Sequence, residues 1–212
     1  MSLKGQTVLI SYVIFIIKGT ENIMSKQEKK STKSETSEQL DQAQMVEETG
    51  QVRSQNAKHL IHCLTVIGQI EGHTILLEDT KTTKYEHILP ALIAIEQDRS
   101  IEGLLILLNT MGGDVEAGLA IAEMIDGMET PTVSLVLGDR HSIGIPLAVS
   151  ADTSMIVPSA SMTLHPVRTN GMVLSVPQTM VYLSKIQDRV NDFILHNSRI
   201  SEKQLDQMMR NT

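Results

Sequence analysis

The fold is decided by the stretch from Gly103 to Arg168, in which three apolar runs are each followed by residues of a special kind. The runs read GLLILLNTMGGDVEAGLAIAEMI (103–125), TPTVSLVLGDRHSIGIPLAVSA (130–151) and TSMIVPSASMTLHPVR (153–168). The first run contains the pair Gly112–Gly113, the second contains Ser142, and the third leads to His165. Hydrogen-bond donors, a nucleophile and a base are the parts of an acyl-transfer site. The order of these residues therefore indicates such a site.

The spacing of apolar residues in these runs predicts alternating strands and helices. Gly103–Asn109 is continuously apolar over a strand length, which predicts a parallel strand covered on both faces. A helix is predicted at Val115–Met128, a second buried strand at Thr132–Leu137 and a short buried helix at Ile143–Ala151. The repeated order predicts an α/β fold with parallel strands, whose active site lies beyond their carboxyl ends.

The flanking sequence extends this pattern in both directions. Ile61–Ile67 predicts a strand that ends at Gly68, and Tyr85–Arg99 predicts an amphipathic helix in which Pro90 is tolerated only in the first turn. Further along, we expect two short strands, a long helix with a proline in its first turn, and a last helix that Ser201 opens; their ranges are 154–157, 161–164, Pro177–His196 and 202–209.

Composition excludes several classes of function. The 212 residues suffice for one sizeable core, and the net charge of −7 argues against nucleic acid as a partner. Aromatic residues are only 2%, so base-stacking or sugar-stacking platforms are not expected. Cys63 is the only cysteine, which excludes an internal disulfide and fits a cytoplasmic protein. His59 and His62 have a spacing seen in metal sites, but we expect them to be half-exposed strand residues and expect neither a metal nor a cofactor.

The N-terminal 57 residues differ in character from the rest. Val8–Ile17 is apolar but shorter than the roughly 20 residues of a membrane span. It is interpretable as an atypical export signal, as an apolar docking patch, or as translated sequence upstream of a true start at Met24, which we favour. Ser25–Asn56 is polar and predicts a disordered arm. Residues 1–57 are thus expected to be an apolar stretch plus this arm, and residues 58–212 the folded domain.

Each chemistry-bearing residue also has a structural interpretation. The glycine pair could serve a tight strand-to-helix turn, and Ser142 could be a helix N-cap, because the G-x-S-x-G pattern is absent. His165 could be an ordinary residue at the end of a strand. As the base for Ser142 we prefer His165 to His141, since adjacent side chains diverge along the backbone.

Taken together, the stretch resembles the ClpP family of self-compartmentalising serine peptidases. The family's N-S-P-G-G element is present as Asn109-Thr-Met-Gly-Gly, and its G-x-A-A-S-M-G element as Gly138-Asp-Arg-His-Ser-Ile-Gly. Its L-P-N-x-x-x-M-I-H-Q-P element is present as Val157-Pro-Ser-Ala-Ser-Met-Thr-Leu-His-Pro. The resemblance runs from about Leu60 to the C-terminus and is strongest to the translocation-enhancing protease branch, on the segments GQIEG, TTKYEH, GGDVEAGLAIAEM, HSIG and HPVR.

The resemblance implies a ClpP/crotonase-like spiral of ββα units with a helical handle, which includes Pro177–His196, and a homo-oligomeric ring. It implies that Ser142 is the nucleophile and His165 the base. The backbone N–H groups of Gly113 and Ile143 would form the oxyanion hole, and Gly112 and His141 would line the substrate site.

The sequence also departs from the family pattern. Arg140 and His141 replace small residues beside Ser142, Asp114 follows the glycine pair, and the Gln between His and Pro is missing. The family's third triad member, an aspartate, falls at or beyond the last residue, so we expect a C-terminally incomplete domain. The motifs do not assign that role to any of the aspartates 188, 192 and 206.

The prediction is a serine-type endopeptidase that hydrolyses peptides or unfolded segments through an acyl-enzyme, independent of ATP or fed by an unidentified ATPase partner. The first alternative is a catalytically weak ClpP-like ring or adaptor subunit. The second is a crotonase-type acyl-CoA enzyme, which also uses backbone N–H groups at a glycine turn but does not require Ser142 and His165 together.

Overall fold

Six strands form one sheet within the residues that the computed structural model describes, which are 52–53, 59–138, 142–168 and 175–210. The strands are β1 (Val52–Arg53), β2 (Ile61–Glu71), β3 (Thr82–Lys84), β4 (Gly103–Gly113), β5 (Thr132–Val136) and β6 (Thr153–Ile156). The helices are α1 (Tyr85–Gln97), α2 (Val115–Asp126), α3 (Gly144–Val149), α4 (Val176–His196) and α5 (Glu202–Arg210).

The sheet is parallel apart from one edge strand. Its order is β1-β2-β4-β5-β6, and the short β3 pairs with the end of β2. Only β1 runs antiparallel to its neighbour, whereas β2, β4, β5 and β6 are parallel. Their carboxyl ends therefore meet at one edge, as the predicted α/β class requires.

The two longest strands bury one face more completely than the other. Along β2 and β4 alternate residues are fully buried, including Leu64, Val66, Ile106 and Leu108, while the residues between them are only half-buried or exposed. The prediction that Gly103–Asn109 is fully covered on both faces was therefore wrong. The helices cover one face, and the other face is only partly covered by the described residues.

Several predicted boundaries differ from the structure. Strand β2 does not end at Gly68 but continues through it, because Gly68 adopts a φ of +81° and the pairing with β4 shifts register between Gly68 and Gln69. Pro90 lies inside α1 rather than in its first turn. It is exposed, so the Glu86 carbonyl left without a donor is near solvent. Residues 161–164 form no strand.

Helix α2 begins at Val115 as predicted and ends at Asp126, two residues before the predicted Met128. Asp114 is its N-cap and accepts the Ala117 N–H at 2.9 Å. Gly72 leaves room for this carboxylate, since a Cβ atom there would lie 2.8 Å from the Asp114 Cβ.

The loop after α2 is bound to α1 through one side chain. The Glu96 carboxylate of α1 accepts the N–H groups of Glu129 at 2.8 Å and Thr130 at 3.2 Å. These bonds lower the pKa of Glu96 and tie α1 to the loop after α2.

The C-terminal helices carry the predicted start signals. Pro177 lies in the first turn of α4. Ser201 and Gln204 form a capping box before α5, in which the Ser201 N–H donates to Gln204 Oε1 at 3.0 Å. None of the helices in the described part of the chain combines the length and apolar character that crossing a bilayer requires. The apolar stretch 8–17 and the polar arm 25–56, except for Val52–Arg53, lie outside the described residues.

The two N-terminal histidines are placed differently from the prediction. His59 is exposed and its Nδ1 lies 2.7 Å from Glu102 Oε2, whereas His62 is buried on β2. They are therefore not a half-exposed pair. The described residues bring no three His, Cys, Asp or Glu side chains together as a metal site would need.

Candidate active site

A cavity of about 520 Å³ opens at the carboxyl edge of the sheet. Its described lining consists of Gln69, Met111, Gly112, Gly113, Ser142, Thr163, His165 and Arg168. A recess of about 300 Å³ shares several of these residues and has an apolar floor, which includes Val115, Ile143, Leu164 and Val190. The predicted donors, nucleophile and base thus line one cavity, at the sheet edge where the α/β topology predicts a site.

The glycine pair at the end of β4 adopts a backbone that requires glycine. Gly112 has a φ of +94° and Gly113 a φ of +151°. A Cβ atom at Gly113 would lie 2.6 Å from the Ile70 nitrogen, so the neighbouring strand excludes any side chain. The pair therefore brings bare backbone to the cavity wall.

A buried hydroxyl fixes this backbone from behind. Thr110 is 1% exposed, and its hydroxyl donates to the Gly68 carbonyl at 2.6 Å and accepts the Gly112 N–H at 3.1 Å. One side chain thus joins the register shift of β2 to the glycine pair of β4.

The ladder between β2 and β4 gives the direction of the next N–H group. The Asp114 N–H donates to the Ile70 carbonyl at 2.9 Å. Successive N–H groups of a strand point to opposite edges, so the Gly113 N–H points away from β2. On that side β5 has already ended, since its last residue, Val136, pairs with Leu108. The Gly113 N–H therefore points beyond the end of β5.

Ser142 occupies a strained turn before α3. Its φ is +39°, which is uncommon for a residue other than glycine. The N-cap of α3 is Ile143, without a side-chain cap, and the Ser142 carbonyl accepts the Ile145 N–H at 3.0 Å. The hydroxyl therefore does not cap the helix, and the N-cap interpretation was wrong.

The residue after Ser142 is anchored in the core. Ile143 is 3% exposed and packs against Gly118 of α2, where a Cβ atom would lie 2.6 Å from Ile143 Cγ1. The N–H groups of a first helical turn have no partner within the helix, and that of Ile143 belongs to this group. Tight packing of Ile143 thus holds the Ser142 turn against α2.

His165 lies in a segment without regular secondary structure rather than at the end of a strand. Its Nδ1 lies 2.8 Å from the Pro166 carbonyl oxygen. A carbonyl only accepts, so Nδ1 carries the hydrogen and Nε2 is free to accept a proton. Ser142 and His165 form no hydrogen bond with each other, although both line the cavity. Such contacts are often long before a substrate binds.

Some predicted residues lie outside this geometry. His141 falls among the residues that the structure does not describe. The aspartates 188, 192 and 206 are exposed on α4 and α5 and do not line the cavity. Sequence reasoning missed Gln69, Thr163 and Arg168 as lining residues. For Gln69 the preceding Gly68 was a usable signal, because a glycine inside a strand pattern indicates a bulge.

The lining is polar but nearly uncharged. Among the described residues that line the cavity and the adjoining recess, Arg168 is the only one with a permanently charged side chain. None of these lining residues carries a carboxylate. Outside this lining, an ion pair joins Arg189 of α4 to Glu116 of α2 at 3.7 Å. Desolvation and then the Glu116 charge raise the pKa of Tyr182 on the same helix above its ordinary value.

Comparison with known proteins shows the relatives of the chain. The Clp protease family model matches residues 57–212. The translocation-enhancing protein TepA of Halalkalibacterium halodurans is 60% identical over 149 residues, which are 70% of this chain and 58% of TepA. The chain therefore spans less than two thirds of the length of that relative.

A more distant relative is the ATP-dependent Clp protease proteolytic subunit of Leuconostoc citreum. It is 25% identical over 143 residues, which are 64% of this chain and 68% of that subunit. These matches confirm the resemblance drawn from the motifs, including the translocation-enhancing branch, and the ClpP-like α/β fold. On the family match, which includes β2 to α5 and the whole cavity, the chain belongs to the Clp protease family.

Proposed function

We propose that the chain is a serine peptidase that cleaves peptides or unfolded segments through an acyl-enzyme on Ser142. One observation carries the proposal: Ser142, on a turn with φ +39°, lines the same cavity as His165 and the glycine pair. A serine held in a strained turn, whose hydroxyl caps no helix, is expected where that hydroxyl must face a substrate.

In the proposed reaction, Nε2 of His165 takes the proton of the Ser142 hydroxyl while Oγ attacks the peptide carbonyl. The imidazolium then gives that proton to the leaving amine, and the acyl-enzyme forms. A water molecule then attacks the acyl carbon while Nε2 takes one of its protons. The imidazolium returns this proton to Ser142 Oγ as the C–O bond to Ser142 breaks, which releases the acid and restores the free serine. The bond from Nδ1 to Pro166 supports this role, because in the neutral ring it places the hydrogen on Nδ1 and the lone pair on Nε2.

The carbonyl oxygen becomes an oxyanion, for which we propose the N–H groups of Gly113 and Ile143 as donors. The direction of the Gly113 N–H and the position of Ile143 at the start of α3 support this assignment. Loss of one such donor costs about 100- to 1000-fold in turnover in acyl transfer. Gly112 would line the substrate site, and His141 remains a proposed neighbour of it.

A fluorophosphonate probe tests the nucleophile directly. The wild-type chain should be labelled at Ser142, and Ser142→Ala should lose both labelling and peptide cleavage. Ser150→Ala is the matched control, because Ser150 is a buried serine at the other end of α3. Equal labelling of the Ser142→Ala chain would refute the assignment.

The base is tested by comparing two histidines. His165→Ala should slow labelling far more than His141→Ala, since His165 lines the cavity and its Nδ1 is engaged by the Pro166 carbonyl, which leaves Nε2 for the proton transfer. The reverse result would make His141 the base.

A catalytically weak ring or adaptor subunit is the second candidate. The observation that favours it is that, among the described residues, a neutral carbonyl and not a carboxylate holds Nδ1 of His165. Loss of the triad aspartate lowers turnover by about 10⁴ in the best-studied serine proteases. The relative TepA is named a translocation-enhancing protein, and this name does not mention hydrolysis. Probe labelling without measurable peptide turnover would favour this candidate.

Assembly is part of the same proposal. We propose a homo-oligomeric ring in the cytoplasm, to which an unidentified ATPase partner could bind. Support comes from family membership and from the first half of α4, which exposes the apolar residues Val176, Met180, Val181 and Tyr182. These residues lie on several sides of the helix, as expected for a helix that projects from its own subunit and packs against another.

A further inference from the structure

The described lining of the cavity contains one permanently charged cation, Arg168. Arg168 lines both the cavity and the adjoining recess, is exposed, and forms no ion pair with any residue that the structure describes. No carboxylate of the described lining neutralises it. A guanidinium offers a planar fork of donors that matches a carboxylate.

The backbone beside Arg168 is held in place. The N–H of the preceding Val167 donates to Oε1 of Gln187 at 2.7 Å, and Nε2 of Gln187 donates to Oδ1 of Asn191 at 2.8 Å. This chain of bonds ties the segment after His165 to α4. The guanidinium is therefore presented to the cavity from an anchored backbone, which reduces the entropy lost on binding.

We propose that Arg168 selects substrates that carry a carboxylate close to the cleaved bond. This inference rests on the proposed peptidase function and adds a substrate class to it. The carboxylate comes either from an acidic side chain or from the C-terminus of the substrate. Arg168 lines the same cavity as Ser142 and His165, so either group lies near the reacting carbonyl.

The net charge of the chain determines whether Arg168 attracts acidic peptides at long range or only on contact. A charge of −7 repels acidic peptides at long range, so Arg168 acts by contact rather than by steering. The preference should therefore be found in the affinity of the bound peptide. It should weaken as salt rises, because the guanidinium is exposed.

The test uses internally quenched peptides in matched pairs, with Glu or Gln at each position around the cleaved bond. A second set compares a free with an amidated C-terminus. We expect the wild-type chain to prefer one carboxylate-bearing peptide by about 5- to 10-fold in kcat/KM, between an exposed and a partly desolvated charged pair. The set that shows the preference identifies the source of the carboxylate.

Variants of Arg168 test whether its charge and its guanidinium fork cause the carboxylate preference. Arg168→Gln should bring the Glu/Gln ratio to about 1, and Arg168→Glu should turn the preference toward Lys peptides. Arg168→Lys should keep part of the ratio, because it keeps the charge but not the fork. Arg199→Gln, which removes an exposed arginine outside the cavity, is the matched control and should keep the ratio.

Binding distinguishes failure of this inference from failure of the proposed function. In the Ser142→Ala chain, fluorescence polarisation should show the same carboxylate preference, and Ser142→Ala combined with Arg168→Gln should lose it. Absence of a carboxylate preference in both peptide sets, or an unchanged preference in Arg168→Gln, would overturn the role of Arg168 while leaving catalysis intact. Selective binding without labelling or cleavage would instead overturn the peptidase proposal and keep the carboxylate site.

Discussion

Gly118 and Ile143 pack so closely that α2 has no room for a side chain where it faces the turn of Ser142. A Cβ atom on Gly118 would lie 2.6 Å from Cγ1 and 3.2 Å from Cγ2 of Ile143. Ile143 is buried and follows the proposed nucleophile directly. A glycine on one helix thus sets the position of the turn that carries Ser142 on another segment.

Gly118→Ala should push Ile143 outward and displace Ser142. Overpacking costs about 1–3 kcal/mol, against which a helix gains about 1 kcal/mol from replacing glycine with alanine. We expect a small net loss of stability but a fall of about 10- to 100-fold in the probe-labelling rate, as misplaced catalytic groups show. Labelling time courses and thermal unfolding measure the two effects.

Gly127→Ala is the control for this change, because a Cβ atom at Gly127 would make only an ordinary contact, 3.5 Å from the Glu123 carbonyl oxygen. It lies at the other end of the same helix and should leave labelling unchanged. If Gly118→Ala is labelled as fast as wild type, the packing of Ile143 does not position Ser142.

Thr110→Val should misplace the glycine pair. The change leaves the Gly68 carbonyl and the Gly112 N–H without their hydroxyl partner, and an unsatisfied buried group costs about 1–3 kcal/mol. We expect lower stability and slower probe labelling, with recovery of both in Thr110→Ser. Denaturant unfolding and labelling rates provide the comparison.

Thr132→Val provides the matched control for Thr110. Thr132 is also buried, and its hydroxyl donates to Asp152 Oδ2 at 3.0 Å and accepts the Asp152 N–H at 2.9 Å. Removal of this hydroxyl should lower the stability of the fold by a similar amount. Probe labelling should slow only as far as this lower stability explains. Equal effects of both valines on labelling would mean that Thr110 acts only through stability.

Cys63 should react slowly while the chain is folded. Burial raises the pKa of its thiol from 9.0 to about 11, so the thiolate fraction at pH 8 falls by about 100-fold. Iodoacetamide at pH 8 should therefore label the native chain about 100-fold more slowly than the chain in urea. Mass spectrometry of timed samples checks the ratio, and equal rates would contradict the burial.

The same shift fixes the sign of a pH effect on stability. Between pH 9 and about 11 the unfolded chain loses the thiol proton while the folded chain keeps it. The free energy of unfolding should fall as pH rises through this window, by about 2 kcal/mol for this group. A Cys63→Ala chain should lack this component.

Val181→Glu should disrupt self-association. Val181 is 56% exposed in the half of α4 that lacks cover, and a buried carboxylate at a subunit contact is unfavourable. We expect sedimentation velocity to show an oligomer for wild type and smaller species for the variant. Gln207→Glu adds the same charge on exposed α5 and should not change the distribution. A wild-type monomer at micromolar concentration would contradict the ring.

Much of the fold was predictable because local patterns agree with it. The helix predicted from the stripe after Pro177 begins one residue earlier and ends as expected at His196, since apolar spacing and the proline act locally. The strand break at Gly68 was wrong because a glycine with positive φ can shift register without ending a strand. The expectation that Pro90 is tolerated only in the first turn was wrong: the helix starts at Tyr85 as predicted, so Pro90 lies beyond that turn, at an exposed position.

The candidate site was predictable only in part. Motifs on separate segments led to Ser142, His165 and Gly113, and the parallel topology explains why these segments meet. The hydroxyl bridge of Thr110, the contact of Gly118 with Ile143 and the place of Arg168 depend on register and packing between distant segments. No local pattern indicates these contacts.

The turn at Ser142 has a consequence for engineering the chain. A residue other than glycine held at φ +39° costs about 1–3 kcal/mol, and the hydroxyl contributes no helix cap in return. A search for heat-resistant versions should therefore converge on Ser142→Gly, and each such gain would remove the proposed nucleophile. Selection for thermostability and selection for hydrolysis would pull this one position in opposite directions.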